Sequence, residues 1–453
     1  MINVHTDLIE EAVYNLCIRA NTLYDNHLYN TLLSMYEESS DSDKKNKLLN
    51  ILKNIKLASD TNRPLCQDTG QVIIFLELGQ NLLIHGILLK DAINNAVKRA
   101  YIDNYYRKSV VENSLFNRTN TNTNTPVIIY TDIIEGDSIN INLLIKGAGS
   151  ENYSTLKMFK PTASKEEIFE FIKQSVITAG EKSCPPLVLG LGIGSTMDGA
   201  SVLSKKAFFN SMTQDEQVFS NSLKDYLNAS GQEILDVKLC SAATHIACLP
   251  VALTINCHSS RHAGCVIKNS KIIYDEINKD YKAIEDKDCH CRRVDTDNIE
   301  AIRSLKAGEK ILLSGVIYTA RDAAHKKISE FYKNNSNFPF SLKDKIIFYA
   351  GPCPAAPNEV IGPVGPTTSA RMDTYCDLLY SNGLLATIGK GERSNEALDS
   401  IKKYKGKYLT AQGGISCLLA KCVKEAEVVA FEELGTEAVR KLVIKDFPLT
   451  VEI

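Results

Sequence analysis

The sequence predicts a mixed α/β (α+β) protein of two domains. Strand-sized apolar runs alternate with segments of helical spacing, a highly charged stretch interrupts the chain near residue 280, and at about 150 residues per domain the 453 residues fill two large domains or three ordinary ones. From Leu8 to about Ile55 the text is helical. Leu8, Ala12, Val13 and Leu16 keep a three-to-four spacing, which Leu48, Leu49 and Leu52 resume after the polar break Ser39 to Asn46. Val72 to Leu78, within Gln71 to Gly79, and Ile84 to Leu89 have the length and apolarity of buried strands. A helix follows over Asp91 to Tyr106, with Ile93, Ala96, Val97 and Ala100 on one face. Thr119 to Thr125 is a loop, because Thr and Asn side chains bond the local backbone. Val127 to Ile134 and Ile139 to Ile145 are expected to pair as strands. Glu166 opens a helix, and Leu187 to Leu191 is a strand ending in a glycine turn. Of the 26 residues from Lys268 to Arg293, 13 are charged, which marks a solvated connector. The domain boundary is placed there, giving domains over 1–280 and 288–453. Beyond it, Ile311 to Thr319, Ile346 to Tyr349 and Leu384 to Ile388 are strands separated by helical text.

Composition excludes several classes of function. Charged residues make up 23% and hydrophobic ones 44%, and 52 basic residues face 54 acidic ones. A net charge of −2 gives no reason to expect nucleic acid or an anionic membrane as a partner. No apolar run approaches the ~18 residues of a membrane span. Met1 to Cys17 carries Asp7, Glu10 and Glu11 and has the pattern of neither a signal nor a transit peptide. A soluble cytoplasmic protein is expected, with a mitochondrial location left open. Thirteen cysteines, an odd number without a secretion signal, are no disulfide framework. Most should be buried small hydrophobes and a few should be ligands or nucleophiles.

Two motifs mislead. Gly190-Leu-Gly192-Ile-Gly194-Ser195 looks like a dinucleotide fingerprint, but Ser195 stands where that pattern needs glycine. A close-packed strand-to-helix turn is the better reading. Gly389-Lys390-Gly391 lacks the flanking residues of a phosphate loop. Cys257-His258-x3-His262-x2-Cys265 with Cys289-His290-Cys291 has no usual zinc spacing, and reduced thiols near the surface are expected instead.

Three cysteines stand in settings a core thiol does not need. Cys66 lies in Arg63-Pro-Leu-Cys66-Gln67-Asp68-Thr69-Gly70, Cys184 precedes two prolines, and Cys257 lies in Asn256-Cys257-His258-Ser-Ser-Arg261-His262. In the second domain Arg321, Arg371 and Lys390 sit in turns rich in Gly, Pro and Thr, around Tyr318-Thr-Ala-Arg321-Asp322-Ala-Ala-His325, Gly351-Pro-Cys-Pro354, Gly365-Pro-Thr367-Thr-Ser-Ala-Arg371-Met-Asp373 and Gly389-Lys390-Gly-Glu-Arg393-Ser. Three cations where backbone can approach a ligand closely point to an anion site, and arginine suits carboxylates.

Together with Cys184-Pro-Pro, Gly190 to Gly194 and Thr244-His245-Ile-Ala-Cys-Leu-Pro-Val-Ala, these motifs resemble the class I fumarate hydratases, the iron–sulfur hydro-lyases, and the related L-tartrate dehydratases. The likeness runs in family order from about Leu57 to Leu442. It implies an N-terminal cluster-binding α/β domain, a C-terminal swivelling β/β/α domain and a homodimer. It implies a [4Fe–4S] cluster on Cys66, Cys184 and Cys257, with one iron left open as a Lewis acid, and therefore sensitivity to oxygen. By the same resemblance Gln67, Asp68, Arg107 and the Gly147-Ala148-Gly149 backbone, at Gly149, contact the substrate, as do Arg321, Thr367, Arg371 and Lys390. His245 corresponds to the active-site histidine. Thr367 is the implied base, assisted by Asp68 or the cluster, and Asp322 supports the Arg321 turn. The implied reaction is reversible hydration of fumarate, a small dicarboxylate, to (S)-malate, a tricarboxylic acid cycle step. L-tartrate dehydration and mesaconate hydration are alternatives from the same family, and an iron or oxygen sensor is a further one. Several positions depart from the family pattern. Asn122 and Thr123 replace a Gly-Asp, Ala148 replaces a middle glycine, and Asn358 and Pro363 replace smaller residues; the first two bear on the shape of the substrate pocket.

Overall fold

A computed structural model of the protein describes residues 2–116, 118–284 and 291–453; Cys289 and His290 lie outside them. The chain forms two compact units, one of Met1–Leu48 with Asp68–Tyr281 and one of Leu49–Gln67 with Lys282–Ile453. Both mix helices and strands.

The first unit holds two main sheets. One has the strand order Lys271–Tyr274, His262–Lys268, Ile139–Lys146, Gln71–Gly79, Ile128–Ile134. Helices Thr6–Thr22 and Leu89–Asp103 cover it through Ile9, Val13, Leu16, Ile93, Val97 and Ala100. The other sheet runs Thr155–Phe159, Leu249–Asn256, Leu187–Ser195, Ile234–Thr244, with helices Lys165–Ala179 and Gln214–Ala229 in its core.

Three local expectations change. Ile128–Ile134 and Ile139–Lys146 do not pair with each other. Gln71–Gly79 lies between them, parallel to the first and antiparallel to the second. Its run Val72 to Leu76 is buried throughout, and such a strand needs neighbours on both edges. The expected strand Ile84 to Leu89 is only Leu82–His85, and Leu89 already opens the next helix. The charged connector begins with a hairpin, since Cys265 to Lys268 pairs with Lys271 to Tyr274.

Gly190 to Gly194 is strand rather than turn: Leu187–Ser195 runs through it, paired on both edges. The glycines serve close packing, as expected. A Cβ at Gly190 would meet Ser204 O at 2.2 Å, and one at Gly192 would meet Ala200 O at 2.0 Å, both on helix Met197–Lys206. Only bare backbone lets the helix lie this near the sheet.

In the second unit seven strands run Arg292–Asp295, Lys310–Thr319, Ile346–Phe348, Ala386–Gly389, Lys407–Thr410, Val439–Val451, Val423–Ala430. Lys310–Thr319 also pairs antiparallel with Val439–Val451, which closes five of the strands into a ring. Around it Tyr349, Met372, Leu379, Tyr380, Ile401 and Tyr408 form a buried core with helix Asp322–Asn335.

Gly192→Ala forces a methyl group onto the Ala200 carbonyl. It should destabilise the first unit by about 3 kcal/mol, the upper end of overpacking, read as a lowered midpoint in urea unfolding. An unchanged midpoint would show that the helix can retreat.

Candidate active site

In the first unit the single turn Gly180–Ser183 delivers Cys184 in a left-handed conformation at φ 56°. Strands Leu187–Ser195 and Leu249–Asn256 are antiparallel with Val188 opposite Asn256, so Cys184 and Cys257 emerge at the same sheet end. The backbone N–H of His258 donates to the Cys184 carbonyl at 3.4 Å, and His258 Nδ1 lies 3.0 Å from the same oxygen. Tyr24 fixes this segment from behind, its hydroxyl donating to the His258 carbonyl. Cys257 Sγ lies 2.9 Å from Ser259 Oγ.

Four buried donors flank these two cysteines without an acceptor among the described residues: Ser183 Oγ, Asn256 Nδ2, Ser260 Oγ and Arg261 Nε. Each such orphan costs about 1–3 kcal/mol unless something accepts from it. Donors gathered around thiols suit an electron-rich sulfur group bound by those thiols, so these residues fit an iron–sulfur cluster. Burial disfavours the thiolate form of several other cysteines. Burial pushes Cys17 and Cys417 far up, Cys265 to about 12, and Cys376 and Cys422 to about 11. Among the described residues no three His, Cys, Asp or Glu side chains converge as a metal-ion site.

Asp68 is held on both oxygens. Oδ1 lies 2.9 Å from Arg107 Nη2 and accepts from Gly70 N at 3.2 Å, while Oδ2 accepts from Ala148 N at 3.0 Å. Asp68, Arg107 and the Gly147-Ala148-Gly149 turn therefore form one constellation. Gly147 must lack a side chain, since a Cβ there would sit 3.2 Å from Arg261 Nη2 and 3.3 Å from Asp68 Oδ2. Ala148 contributes its N–H to Asp68 and leaves its methyl group exposed. Beneath the turn, Lys146 Nζ donates to Ile255 O at 2.6 Å and Ser150 Oγ at 2.8 Å and pairs with Glu151, which also binds Lys205. Burial lowers Lys146 to about 8, against the pull of Glu151. Asn124 was not foreseen. Fully buried, it donates to Gly70 O and accepts from Ser109 N, anchoring the Asn/Thr loop beside Asp68. His245 stands apart on an exposed loop, where its Nδ1 accepts from Ala247 N.

In the second unit Cys66 and Gln67 end a segment tied down at several points. Asn54 donates to Leu65 O, Cys417 Sγ donates to Pro64 O, Cys353 Sγ donates to Gln67 O, and Arg63 pairs with Glu359 at 2.9 Å. The bare backbone of Gly365 leaves room for the Gln67 amide.

Arg321 and Arg371 share Asp322. Arg371 places Nε and Nη2 on the two carboxylate oxygens, and Arg321 Nε reaches Oδ2 at 3.2 Å. Burial raises the Asp322 carboxyl, but Arg371 and Arg321 outweigh it and hold it below the usual carboxylate range. Glu437, which no sequence motif marks, fixes Arg321 Nη2 at 3.1 Å and accepts from Ala323 N. Asp322 occupies only one edge of the Arg371 fork, so the Nη1 side of this half-exposed guanidinium can receive a second carboxylate.

Thr367 and Lys390 are stitched together. Lys390 N donates to Thr367 O at 3.2 Å, Ser369 N donates to Lys390 O at 2.9 Å, and the buried Tyr408 hydroxyl spans Gly391 O and Ser369 Oγ. Behind them a fully buried Arg393 pairs with Asp373 and lies between the rings of Tyr349 and Tyr408. Thr367 N donates to the Tyr349 carbonyl at 2.6 Å. The structure thus groups Asp68, Arg107 and Gly149 in the first unit, and Arg321, Thr367, Arg371 and Lys390 on neighbouring turns of the second.

Comparison with known proteins bears on the family of the chain. The family model described as fumarate hydratase (Fumerase) matches residues 10–266, and the model described as fumarase C-terminus matches 268–453. The anaerobic class I fumarate hydratase of Escherichia coli is 27% identical, covering 91% of this chain and 81% of its own. Fumarate hydratase 2 of Leishmania major is 28% identical over 92% and 79%. The aerobic class I enzyme of E. coli is 27% identical over 91% and 81%.

His325 yields a pH test. Its Nδ1 donates to Arg321 O at 3.0 Å, and burial pushes the imidazole down to about 4. Below about pH 6.5 the unfolded chain takes up a proton that the folded chain refuses until about pH 4. Stability should therefore fall by about 3 kcal/mol as pH drops through that window, 1.36 kcal/mol for each pKa unit. Urea midpoints at half-unit steps should show this slope, and His325→Gln should flatten it. An equal slope in the variant would assign the effect elsewhere.

Proposed function

Because the chain belongs to the class I fumarate hydratase family, and is thus a hydro-lyase, we propose that it adds water reversibly to fumarate, giving (S)-malate. The observation that carries the site assignment is the pairing of Arg321 and Arg371 around Asp322, beside the stitched Thr367 and Lys390 turns. A dicarboxylate needs cations fixed in direction, and a guanidinium clamped on one edge presents the other without further loss of freedom.

Arg371 and Arg321 receive substrate carboxylate, and Lys390 supplies a third positive charge. Gln67, Arg107 and the Gly149 backbone complete the binding set. In the dehydration direction Thr367 Oγ takes the proton from carbon. A threonine hydroxyl is a weak base, so its alkoxide form has to be favoured by neighbouring positive charge, which Lys390 provides on the adjoining turn. Asp68, held as a carboxylate by Arg107 and Ala148 N, assists Thr367, the abstracted proton rejoins the departing hydroxide as water, and His245 belongs to the set by the family resemblance. Cys66, Cys184 and Cys257 would hold a [4Fe–4S] cluster, which when bound supplies Lewis-acid polarisation of the substrate hydroxyl at an iron lacking a protein thiolate. A homodimer is proposed from the family resemblance alone. No helix among the described residues is long and apolar enough to cross a membrane.

Anaerobic protein reconstituted with iron and sulfide should turn over fumarate faster than L-tartrate or mesaconate and lose activity in air. Thr367→Ala should lower kcat by about 10²-fold or more, in the range of acid–base groups, with KM changed only a few-fold. Faster tartrate or mesaconate turnover would replace the substrate. Near-full kcat in the alanine variant would remove Thr367 as the base.

A further inference from the structure

Ser183, Asn256, Ser260 and Arg261 have no part in the chemistry assigned above, yet each buries a hydrogen-bond donor without an acceptor among the described residues. Ser183 is 1% exposed, Asn256 and Arg261 4%, and Ser260 5%. Orphaned buried donors are uncommon in native folds, and each calls for an explanation. These four are grouped. Ser183 precedes Cys184, Asn256 precedes Cys257, and Ser260 and Arg261 follow Cys257 by three and four residues. Other such atoms, Thr6 Oγ1 and His325 Nε2 among them, are scattered singly.

The placement is imposed by the fold. Asn256 ends the strand paired with Leu187–Ser195, opposite Val188, and His258 ties its segment to the Cys184 carbonyl. Ser183 and Asn256 therefore lie at the sheet end that carries the two cysteines, Ser260 and Arg261 lie on the segment leading from Cys257 into strand His262–Lys268, and all four are N–H or O–H groups. Arg261 adds a formal charge; within the described residues its guanidinium reaches only Asn21 Oδ1, at 3.3 Å, and no carboxylate pairs with it. A cationic occupant has nothing to accept with and would be repelled by Arg261, whereas an anionic sulfur acceptor uses every one of these donors.

We propose that Ser183, Asn256, Ser260 and Arg261 donate hydrogen bonds to the thiolate and sulfide sulfurs of the cluster held at Cys184 and Cys257, and so set its potential and iron retention. The inference rests on the cluster reading above. Hydrogen bonds to sulfur favour the more electron-rich state, so they raise the reduction potential. Partners of this kind also orient metal ligands, and losing them typically costs 10–100-fold in affinity. None of the four is given a bond-making step. They are positioning and tuning residues.

The test uses the full chain and the variant Ser183→Ala/Asn256→Leu/Ser260→Ala, which removes three donors at little change in volume. Both proteins are reconstituted anaerobically and followed by redox titration of the cluster absorbance and by iron transfer to a chelator. Thermal unfolding of the cluster-free proteins is measured alongside. The expected results are a tenfold shift of the oxidised-to-reduced ratio toward oxidised, about 59 mV for one electron, and iron loss about tenfold faster. The cluster-free variant should be as stable as the parent or more so, because orphaned polar groups have been removed. A variant with unchanged potential and iron loss would overturn the proposal. So would a cluster-free variant that melts earlier with an unaltered cluster, since the side chains would then be structural. If the parent itself takes up no cluster, the cluster reading falls first and the proposal with it. Ser183→Ala and Ser260→Ala singly, each one atom smaller, serve the same measurements should the triple variant not fold.

Discussion

The contact on which the first unit depends is the approach of helix Met197–Lys206 to backbone with no side chains in the way. At Gly190 and Gly192 the strand surface is stripped to Cα, and the carbonyls of Ser204 and Ala200 occupy the space a methyl group would need. That approach seats the central strand Leu187–Ser195, with Ile234–Thr244 on one edge and Leu249–Asn256 on the other. Cys184 leads into this strand, and Cys257 follows its antiparallel neighbour. The cysteines owe their proximity to sheet register, and the His258 bond to the Cys184 carbonyl records it. A long-range pairing of this kind is costly to close, and close backbone packing is one of the terms that offsets it.

In the second unit the corresponding element is a carboxylate. Asp322 is acceptor to both Arg321 and Arg371, and Glu437 completes the hold on Arg321. Two guanidinium groups near one another repel, and long side chains lose rotamer freedom when ordered. Anchoring them on fixed carboxylates means that this ordering is already complete in the folded chain. The same logic applies to Asp68, whose two oxygens are each fixed by a donor from a different segment.

How much of this could be read from the sequence follows physical lines. The helices Thr6–Thr22 and Leu89–Asp103 were legible because their apolar spacing is local. The strand Gln71–Gly79 was legible as a strand, but its place between two others was not, since pairing partners are chosen by burial on both faces. Gly190 to Gly194 signalled close packing correctly and conformation wrongly. Glycine reports that something is near; whether the chain turns there depends on distant strands. Among the candidate site residues, Arg321, Arg371 and Lys390 stood out by their turns and Asp68, Arg107 and Thr367 by the family resemblance, and the structure places them on neighbouring segments within their respective units. Asn124, Glu437 and Tyr408 did not. Each acts through side-chain hydrogen bonds placed by tertiary contacts, and an isolated Asn, Glu or Tyr carries no local mark of that.

The phenol of Tyr408 has a consequence for how this enzyme can vary. By bridging Gly391 O and Ser369 Oγ it welds the turn of Thr367 to the turn of Lys390, while its ring also flanks Arg393. The two turns form one mechanical body, and substitutions on either side are thermodynamically coupled rather than additive. A substitution on either turn is therefore felt by the other, and tolerance at this corner is set by the pair of turns rather than by single positions.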